Sequence, residues 1–244
     1  MLKKDQAVCL RTVNYSETSQ ILTLFAKKAG KIDAIAKGSK RPKSKFDGPV
    51  EIFALGDIVY SPAHSAKLAT LTEFQQQPVF MQLRKNLFAI NCSLFAAELL
   101  NSLTHPYDPH PDLFDTFLQF LRDVQDSEND LNALTLLIVF QLTLLSLLGS
   151  KPVLRSCVNC KRPFDSKWSE TYFSSRANGL ICHDCEISFT DKIRLTKPTA
   201  ACLTEMKLIA KAPQQTINEV EKVLIYHFTE LLHKPPKMAK YFLK

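Results

Sequence analysis

The sequence lacks the motifs by which many nucleotide-dependent enzymes are recognised. Its six glycines are scattered along 244 residues, and none of them belongs to a phosphate-binding glycine loop. No His-x-Glu motif is present of the kind that accompanies the catalytic zinc of nucleobase deaminases. A zinc-dependent enzyme that acts on nucleotides is therefore a weaker hypothesis than a binding protein.

An apolar signal core at the N terminus is also missing. Met1–Asp5 carries three charged residues and leads into a short alternating run. The seven cysteines are an odd number, which does not fit a scaffold in which every cysteine is paired in a disulfide. We therefore expect a protein of the reducing cytoplasm, with no membrane association.

Acidic residues are scarce relative to basic ones, and the formal net charge is +7. The excess is unevenly distributed: residues 1–80 have a net charge of +5, residues 81–150 of −5 and residues 151–244 of +7. This alternation of basic, acidic and basic segments indicates that the protein has separate basic and acidic surfaces rather than one uniformly basic surface. Such a chain favours anionic partners, either nucleic acid or acidic protein tails.

Two Cys-x-x-Cys pairs, Cys157 with Cys160 and Cys182 with Cys185, stand 21 residues apart. Each pair places two sulfurs on one turn, and four thiolates complete the tetrahedral shell of a Zn²⁺ ion. The spacing predicts one structural zinc and a hairpin between the pairs, because a full shell leaves no position for a catalytic water. Two disulfides or free core thiols are the alternatives, and we expect His183 to face solvent.

Residues 1–79 contain five short runs with the alternating or β-branched character of strands. The runs predict a small antiparallel barrel of the OB type, although an SH3-like barrel would give a similar pattern. The predicted strands are 6–14, 19–26, 31–37, 50–60 and 68–75, with a turn over 61–67.

The strongest cluster of positive charge follows the third strand, where Gly38 and Pro42 exclude a regular helix. We expect a flexible arm that binds a phosphate backbone; a solvated charged loop is the alternative. Phe25 and Phe46 are candidates for stacking on bases, with the core the favoured place for Phe25. The candidate DNA-binding residues are Lys27, Lys28, Lys31, Lys37, Lys40, Arg41, Lys43 and Lys45.

Beyond Pro78 the apolar residues recur at helical spacing, which predicts a helical domain. Its central helix spans 131–148, begins after a cap at Asp130 and is buried by the rest of the bundle. It is almost long enough to cross a membrane, but polar residues interrupt it. After the cysteine insert, two more helices are predicted over 199–210 and 216–232. The predicted domains are thus 1–79, 80–149 together with 192–244, and the insert 150–191.

With these parts in this order, the chain resembles the RecO family of recombination mediators. Two motifs carry the resemblance: the basic stretch Lys37–Ser44, and the string Leu148-Gly149-x-x-Pro152-x-Leu154-x-x-Cys157-x-x-Cys160 that leads to Cys182-x-x-Cys185. One departure is Lys161, which follows the second cysteine where the family commonly has glycine. We expect the knuckle there to be looser, because lysine tolerates left-handed backbone less readily than glycine.

The resemblance implies an α+β protein with an N-terminal OB-fold and an α-helical bundle that a four-cysteine zinc hairpin interrupts. It implies binding of single- and double-stranded DNA, annealing of complementary strands, and no enzymatic activity. It further implies partnership with RecR, contact with the C-terminal tail of the single-stranded-DNA-binding protein, and indirect loading of RecA at the nucleoid. An RNA-binding module and an adaptor that docks acidic tails remain alternatives.

Overall fold

The computed structural model describes residues 1–63 and 68–243. Its contacts divide the chain into two compact units. The first comprises Met1–Asn86 and Ala97–Gln125, and the second comprises Leu87–Ala96 and Asp126–Lys244. This division groups segments by packing, and the three-domain division of the sequence stays a prediction.

The first unit is built on a closed five-stranded barrel. Its strands are β1 (Lys3–Asn14), β2 (Gln20–Ala26), β3 (Gly30–Ala36), β4 (Leu55–Ser61) and β5 (Ala69–Gln77). The hydrogen-bonded order is β1-β2-β3-β5-β4, and β4 pairs with β1 to close the barrel. The contact between β3 and β5 is parallel, and all other pairs are antiparallel. This is the arrangement of an OB-fold, so the predicted fold class is confirmed for this half.

The strand runs were located correctly in sequence, with one clear error. The fourth strand begins at Leu55 rather than at residue 50, because residues 50–54 form a turn whose backbone bonds to Cys9 of β1. The predicted turn over 61–67 falls partly outside the described residues. Alternate strand residues fill the barrel with apolar side chains, as the period of two requires.

Two helical segments complete the first unit. Helix α1 spans Leu87–Leu103, with its part from Ala97 in this unit, and α2 spans Pro111–Gln125. The ring of Phe25 on β2 lies 6.1 Å from that of Phe114 on α2, between ring centroids. Phe25 is fully buried, so its predicted place in the core is confirmed.

The second unit is helical with a small sheet. Its helices are α3 (Asp130–Leu147), α4 (Lys197–Thr204), α5 (Met206–Ile209) and α6 (Gln214–Leu232). Two details of the sequence prediction are wrong. Asn129 rather than Asp130 caps α3, because its side chain accepts a hydrogen bond from the Asn132 N–H. The helix predicted over 199–210 breaks at Glu205, whose backbone is extended.

Helix α3 is long and apolar enough to cross a membrane when judged by length and composition alone, and half of it is buried within the protein. Gln141, near its middle, is buried and donates a hydrogen bond to the carboxylate of Glu221 on α6, at 2.9 Å. Buried side chains lie on several faces of the helix. We therefore interpret α3 as the central helix of this unit.

Candidate metal centre and nucleic-acid interface

The cysteine insert is a three-stranded sheet with two loops. Strands β6 (Thr171–Ser174) and β7 (Gly179–Cys182) form the predicted hairpin. A third strand, β8 (Lys192–Leu195), pairs with the other edge of β6; this strand was not predicted from the sequence. Cys182 ends β7, and Cys185 lies in the 3₁₀ turn that follows.

The other two cysteines lie on one tight turn. The Cys157 N–H donates to the Arg162 carbonyl at 2.9 Å, and the Lys161 N–H donates to the Cys157 carbonyl at 3.0 Å. The Val158 N–H donates to Leu180 on β7 at 2.8 Å and ties the turn to the sheet. The sheet and the turn thus bring both cysteine pairs to one point.

The four sulfurs of Cys157, Cys160, Cys182 and Cys185 lie within 4.8 Å of one another. All four thiols are free, and the sulfurs of Cys160 and Cys182 are 3.7 Å apart. Four sulfurs about 2.3 Å from a central ion stand about 3.8 Å from one another in a tetrahedron. The four cysteines therefore fit a metal ion and can hold one.

Two of these thiols have shifted pKa values, in opposite directions. Burial raises the pKa of Cys157, but surrounding hydrogen bonds, that from the Cys182 N–H foremost, outweigh it and lower the pKa to about 7. Burial and hydrogen bonds from neighbouring sulfurs raise the pKa of Cys182 to about 12. Metal binding requires deprotonated thiolates, so a bound ion would displace the protons that these sulfurs share.

His183 lies outside the sulfur cluster. Its Nδ1 atom is 3.2 Å from a carboxylate oxygen of Glu170, and its side chain is 55% exposed. It therefore faces solvent, as expected from the sequence.

A small apolar shell surrounds the cluster. Trp168 and Phe164 pack edge to face, with ring centroids 5.5 Å apart, and Ile181 is fully buried beside them. A shell of this size cannot fix the loops alone, so a metal ion would supply much of the folding free energy here.

Lys161 has the left-handed backbone conformation that its place after the second cysteine led us to expect. Its φ angle is +62°, a region in which a side chain costs about 1–2 kcal/mol. Replacing Lys161 with glycine should remove this strain and tighten metal binding about fivefold, with part of the gain lost to the greater freedom of glycine in the unfolded chain. Competition with a chromophoric chelator measures the change.

Lys167→Gly is the matched control, since Lys167 is exposed in the same loop and its φ is not positive. We expect the control to leave metal affinity unchanged or to lower it. Equal behaviour of the two variants would show that strain at Lys161 does not limit binding.

The basic stretch between β3 and β4 is fixed to the barrel rather than free. We call residues 37–45 the basic loop. Ser39 is fully buried and donates to the side chain of Gln20 on β2, and the Lys40 N–H donates to the Thr18 carbonyl. At the other end Phe46 lies in the barrel core, 3% exposed. The predicted flexible arm is therefore a loop anchored at both ends, and Phe46 is not a stacking platform.

The eight predicted DNA-binding residues fall into three groups. Lys27 and Lys45 form exposed ion pairs, with Asp115 at 2.8 Å and Glu73 at 2.7 Å. Five side chains have no ion pair among the described residues. These five are Lys28, Lys37, Lys40, Arg41 and Lys43.

Lys31 forms the third group alone. Its ammonium donates to the carbonyls of Asn101 and Thr104 at 2.6 Å each, and the side chain is buried. Burial lowers the pKa of Lys31. A cation bound to the last carbonyls of α1 stabilises that helix end. Lys31 thus has a structural role here, and its assignment to DNA binding stays a prediction.

Sequence reasoning missed one aromatic residue next to this loop. Tyr15, in the turn between β1 and β2, is 65% exposed. Its position between two predicted strands was the signal that could have distinguished it from core aromatic residues.

Comparison with known proteins agrees with this architecture. The family model described as Recombination protein O N terminal matches residues 1–77, and that described as Recombination protein O C terminal matches residues 84–240. The chain is 30% identical to the DNA repair protein RecO of Bacillus pumilus, over 94% of this chain and 89% of that protein.

Two further relatives carry the same name. The protein from Alkaliphilus metalliredigens is 35% identical over 80% of this chain and 77% of its own length. The protein from Rhodopirellula baltica is 32% identical over 87% of this chain and 77% of its own length. Both terminal family models and these relatives together cover the barrel, the helices and the cysteine insert, and the chain therefore belongs to the RecO family.

Proposed function

We propose that the chain is a non-enzymatic DNA-binding mediator of recombinational repair. In this role it anneals complementary single strands and helps to load a recombinase onto DNA covered by single-strand-binding protein. The observation that carries the proposal is the set of unpaired cations on the barrel unit, in a chain whose relatives are named DNA repair protein RecO.

Annealing requires no covalent chemistry from the protein surface. Two complementary strands repel each other through their phosphates, and cations that neutralise both backbones let them approach with no bond made or broken. Lys28, Lys37, Lys40, Arg41 and Lys43 are available for this, since they have no carboxylate partner among the described residues. Lys27 and Lys45 are exposed enough to exchange an acidic partner for a phosphate.

We further propose that the four cysteines hold one Zn²⁺ with a structural role. Four sulfur donors suit zinc and leave no open position for a substrate or a water. The ion would fix the two cysteine turns against the small sheet.

For partners, we propose single- and double-stranded DNA, RecR, the acidic C-terminal tail of the single-stranded-DNA-binding protein and, indirectly, RecA. These follow from the family and from the net positive charge of the chain. We propose the cytoplasm, at the nucleoid, as the place where the protein acts.

Replacing Lys37, Lys40, Arg41 and Lys43 together with alanine should weaken binding of a single-stranded oligonucleotide at least tenfold at low salt. The slope of log affinity against log salt should flatten by about two to three, since each lost phosphate contact to a single strand removes about 0.7. Fluorescence anisotropy over a salt series measures both quantities.

A matched control removes four exposed lysines of the second unit, Lys207, Lys211, Lys222 and Lys234. It has the same net charge as the loop variant, and we expect its salt slope to stay near that of the unmodified chain. If both variants lose the same affinity, net charge rather than the basic loop governs binding.

The function itself is tested by annealing of complementary oligonucleotides coated with the single-strand-binding protein. We expect the unmodified chain to accelerate annealing with both strands intact, and the loop variant to be slower. Cleavage of the strands would indicate an enzyme. Binding of the coating protein without any effect on annealing would indicate an adaptor.

A further inference from the structure

The turn that carries the exposed Tyr15 is held next to the basic loop by hydrogen bonds. The turn is closed by two internal hydrogen bonds, in which the N–H groups of Tyr15 and Ser16 both donate to the Ser19 carbonyl, at 3.0 and 3.2 Å. The turn then bonds to the loop. The Lys40 N–H donates to the Thr18 carbonyl at 3.1 Å, and the Gly38 N–H donates to the Ser19 hydroxyl at 3.2 Å.

The Lys40 ammonium adds a contact to the same turn, with the Ser16 carbonyl 3.5 Å away. The turn that carries Tyr15 and the loop that carries the cations thus form one hydrogen-bonded structure. The acidic member of the turn, Glu17, is exposed and has no ion pair among the described residues.

An open apolar row begins two residues before Tyr15, at Val13, and crosses the outer face of the barrel. Val13 pairs with Ile21, and Ile21 pairs with Ile35 on the next strand. Val13 is 41% exposed, and the two isoleucines are half-buried. Further along the same face of β2, Phe25 is covered by Phe114. The outer face is therefore covered at one end and open at the end next to Tyr15.

Resting on the DNA-binding function proposed above, we propose that Tyr15 stacks on an unpaired base of a single strand. The phosphates on either side of that base are held by Lys37, Lys40 and Arg41, and the row of Val13, Ile21 and Ile35 receives the neighbouring base. The strand-2 and strand-3 face of an OB-fold, together with its loops, is suited to an oligonucleotide. Charge complementarity selects a nucleic acid as the occupant of this apolar face, because five side chains of the adjoining loop are exposed or half-exposed cations.

This site distinguishes single strands from duplex. Lysine and arginine side chains bind the phosphate backbone of either form. A tyrosine ring can stack only on a base whose face is free, and in a duplex the neighbouring base pairs cover that face. The cations therefore set the affinity that both forms share, and Tyr15 supplies the preference for unpaired bases.

Three probes of equal length test the proposal: a thymidine homopolymer, the same strand with abasic sugars in place of nucleosides, and a duplex. We expect Tyr15→Ala to weaken binding of the thymidine strand about tenfold, because stacking contributes about 1–3 kcal/mol per base. Binding of the abasic strand and the duplex should change by less than about twofold, and the salt slope should stay the same.

Tyr15→Phe keeps the ring and should retain the affinity, and Tyr241→Ala, which removes an exposed tyrosine of the second unit, should change nothing. Should Tyr15→Ala affect all three probes equally or none, the stacking site is overturned while the proposed function stands. If the unmodified chain binds no probe at low salt, the proposed function falls with it.

A measurement on the unmodified chain keeps the test decisive if the alanine variant misfolds. A fluorescent purine analogue in the strand, whose emission is quenched by stacking on an aromatic ring, should be quenched on binding, and equally so with Tyr15→Phe. Binding without quenching would overturn the proposal.

Discussion

Replacing Cys157 with serine is expected to abolish binding of the proposed metal ion and to unfold the cysteine turns while the barrel stays folded. The thiolate of Cys157 would be one of four donors to the ion, and the three that remain would form an open, weaker site. Structural zinc binding contributes about 10–16 kcal/mol in small zinc-binding peptides. The small apolar shell around Trp168 is not large enough to replace a contribution of that size.

The damage should stay local because the other face of the insert sheet is attached to α6. The Phe173 ring on β6 lies 5.4 Å from the His227 ring, and Ser175 bonds to the same histidine at 2.7 Å. The Tyr226 hydroxyl donates to the carbonyl of Asp191, just before β8. Strands β6 and β8 therefore keep partners that do not depend on the metal.

Elemental analysis should find about one zinc per chain in the unmodified protein and far less in the serine variant. Hydrogen exchange should then show lost protection at the amides of Cys157, Val158 and Lys161, with smaller changes in β6. Cys202→Ala is the matched control, since it removes a buried thiol outside the cluster. Zinc-free protein whose four thiols are intact would contradict the expectation.

Local patterns in the sequence predicted the parts of the fold that depend on local periodicity. Alternation located the five barrel strands, and the two Cys-x-x-Cys pairs located the four-cysteine cluster, because both patterns lie within a few residues of chain. The order of the strands needed the structure, since the parallel contact of β3 with β5 joins segments far apart in sequence.

The sequence is least informative where a distant partner decides the surroundings of a side chain. In sequence, Lys31 resembles the other lysines of its region, yet its ammonium donates hydrogen bonds to two carbonyls at the end of α1. Phe46 follows a run of cations, yet the barrel interior holds it. Charge and aromatic character alone cannot separate a buried side chain from an exposed one, so Tyr15 was overlooked for the same reason.

The second large effect concerns a buried carboxyl in the helical unit. Glu221 on α6 is 1% exposed and accepts one hydrogen bond, from Gln141. Its other oxygen has no hydrogen-bond partner among the described residues, and neither does the side-chain oxygen of Gln141. Burial raises the pKa of Glu221 from 4.5 to about 7, and the bond from Gln141 offsets this only in part.

The sign of the resulting pH dependence follows from these two values. Below pH 4.5 the carboxyl is protonated in the folded and the unfolded chain, so it places no penalty on folding. Between pH 4.5 and about 7 the unfolded chain releases the proton while the folded chain keeps it, and stability falls as pH rises. Above pH 7 the folded chain holds a buried carboxylate, at a cost of about 3 kcal/mol.

His227, on the same helix, acts in the opposite direction. Burial lowers the pKa of His227 from 6.5 to about 4, so its contribution to stability is lost as pH falls from 6.5 to 4. The two residues therefore partly cancel between pH 4.5 and 6.5 in the unmodified chain. A comparison of two variants that both retain His227 removes its contribution from the difference.

Glu221→Gln should stabilise the helical unit by about 2–3 kcal/mol at pH 8 and leave it little changed at pH 4.5. The amide keeps the shape of the side chain, removes the buried charge, and can donate to the side-chain oxygen of Gln141 that lacks a partner. Urea unfolding followed across this pH range gives the difference in unfolding free energy between the variant and the unmodified chain, which should rise with pH and level off above about 7.

Glu219→Gln is the control, because Glu219 already accepts hydrogen bonds from Thr196 and Thr199 and its pKa is lowered by them; we expect that change to destabilise the unit. A difference curve for Glu221→Gln that is flat, or that falls with pH, would mean that the carboxylate form is the one that the folded helices stabilise.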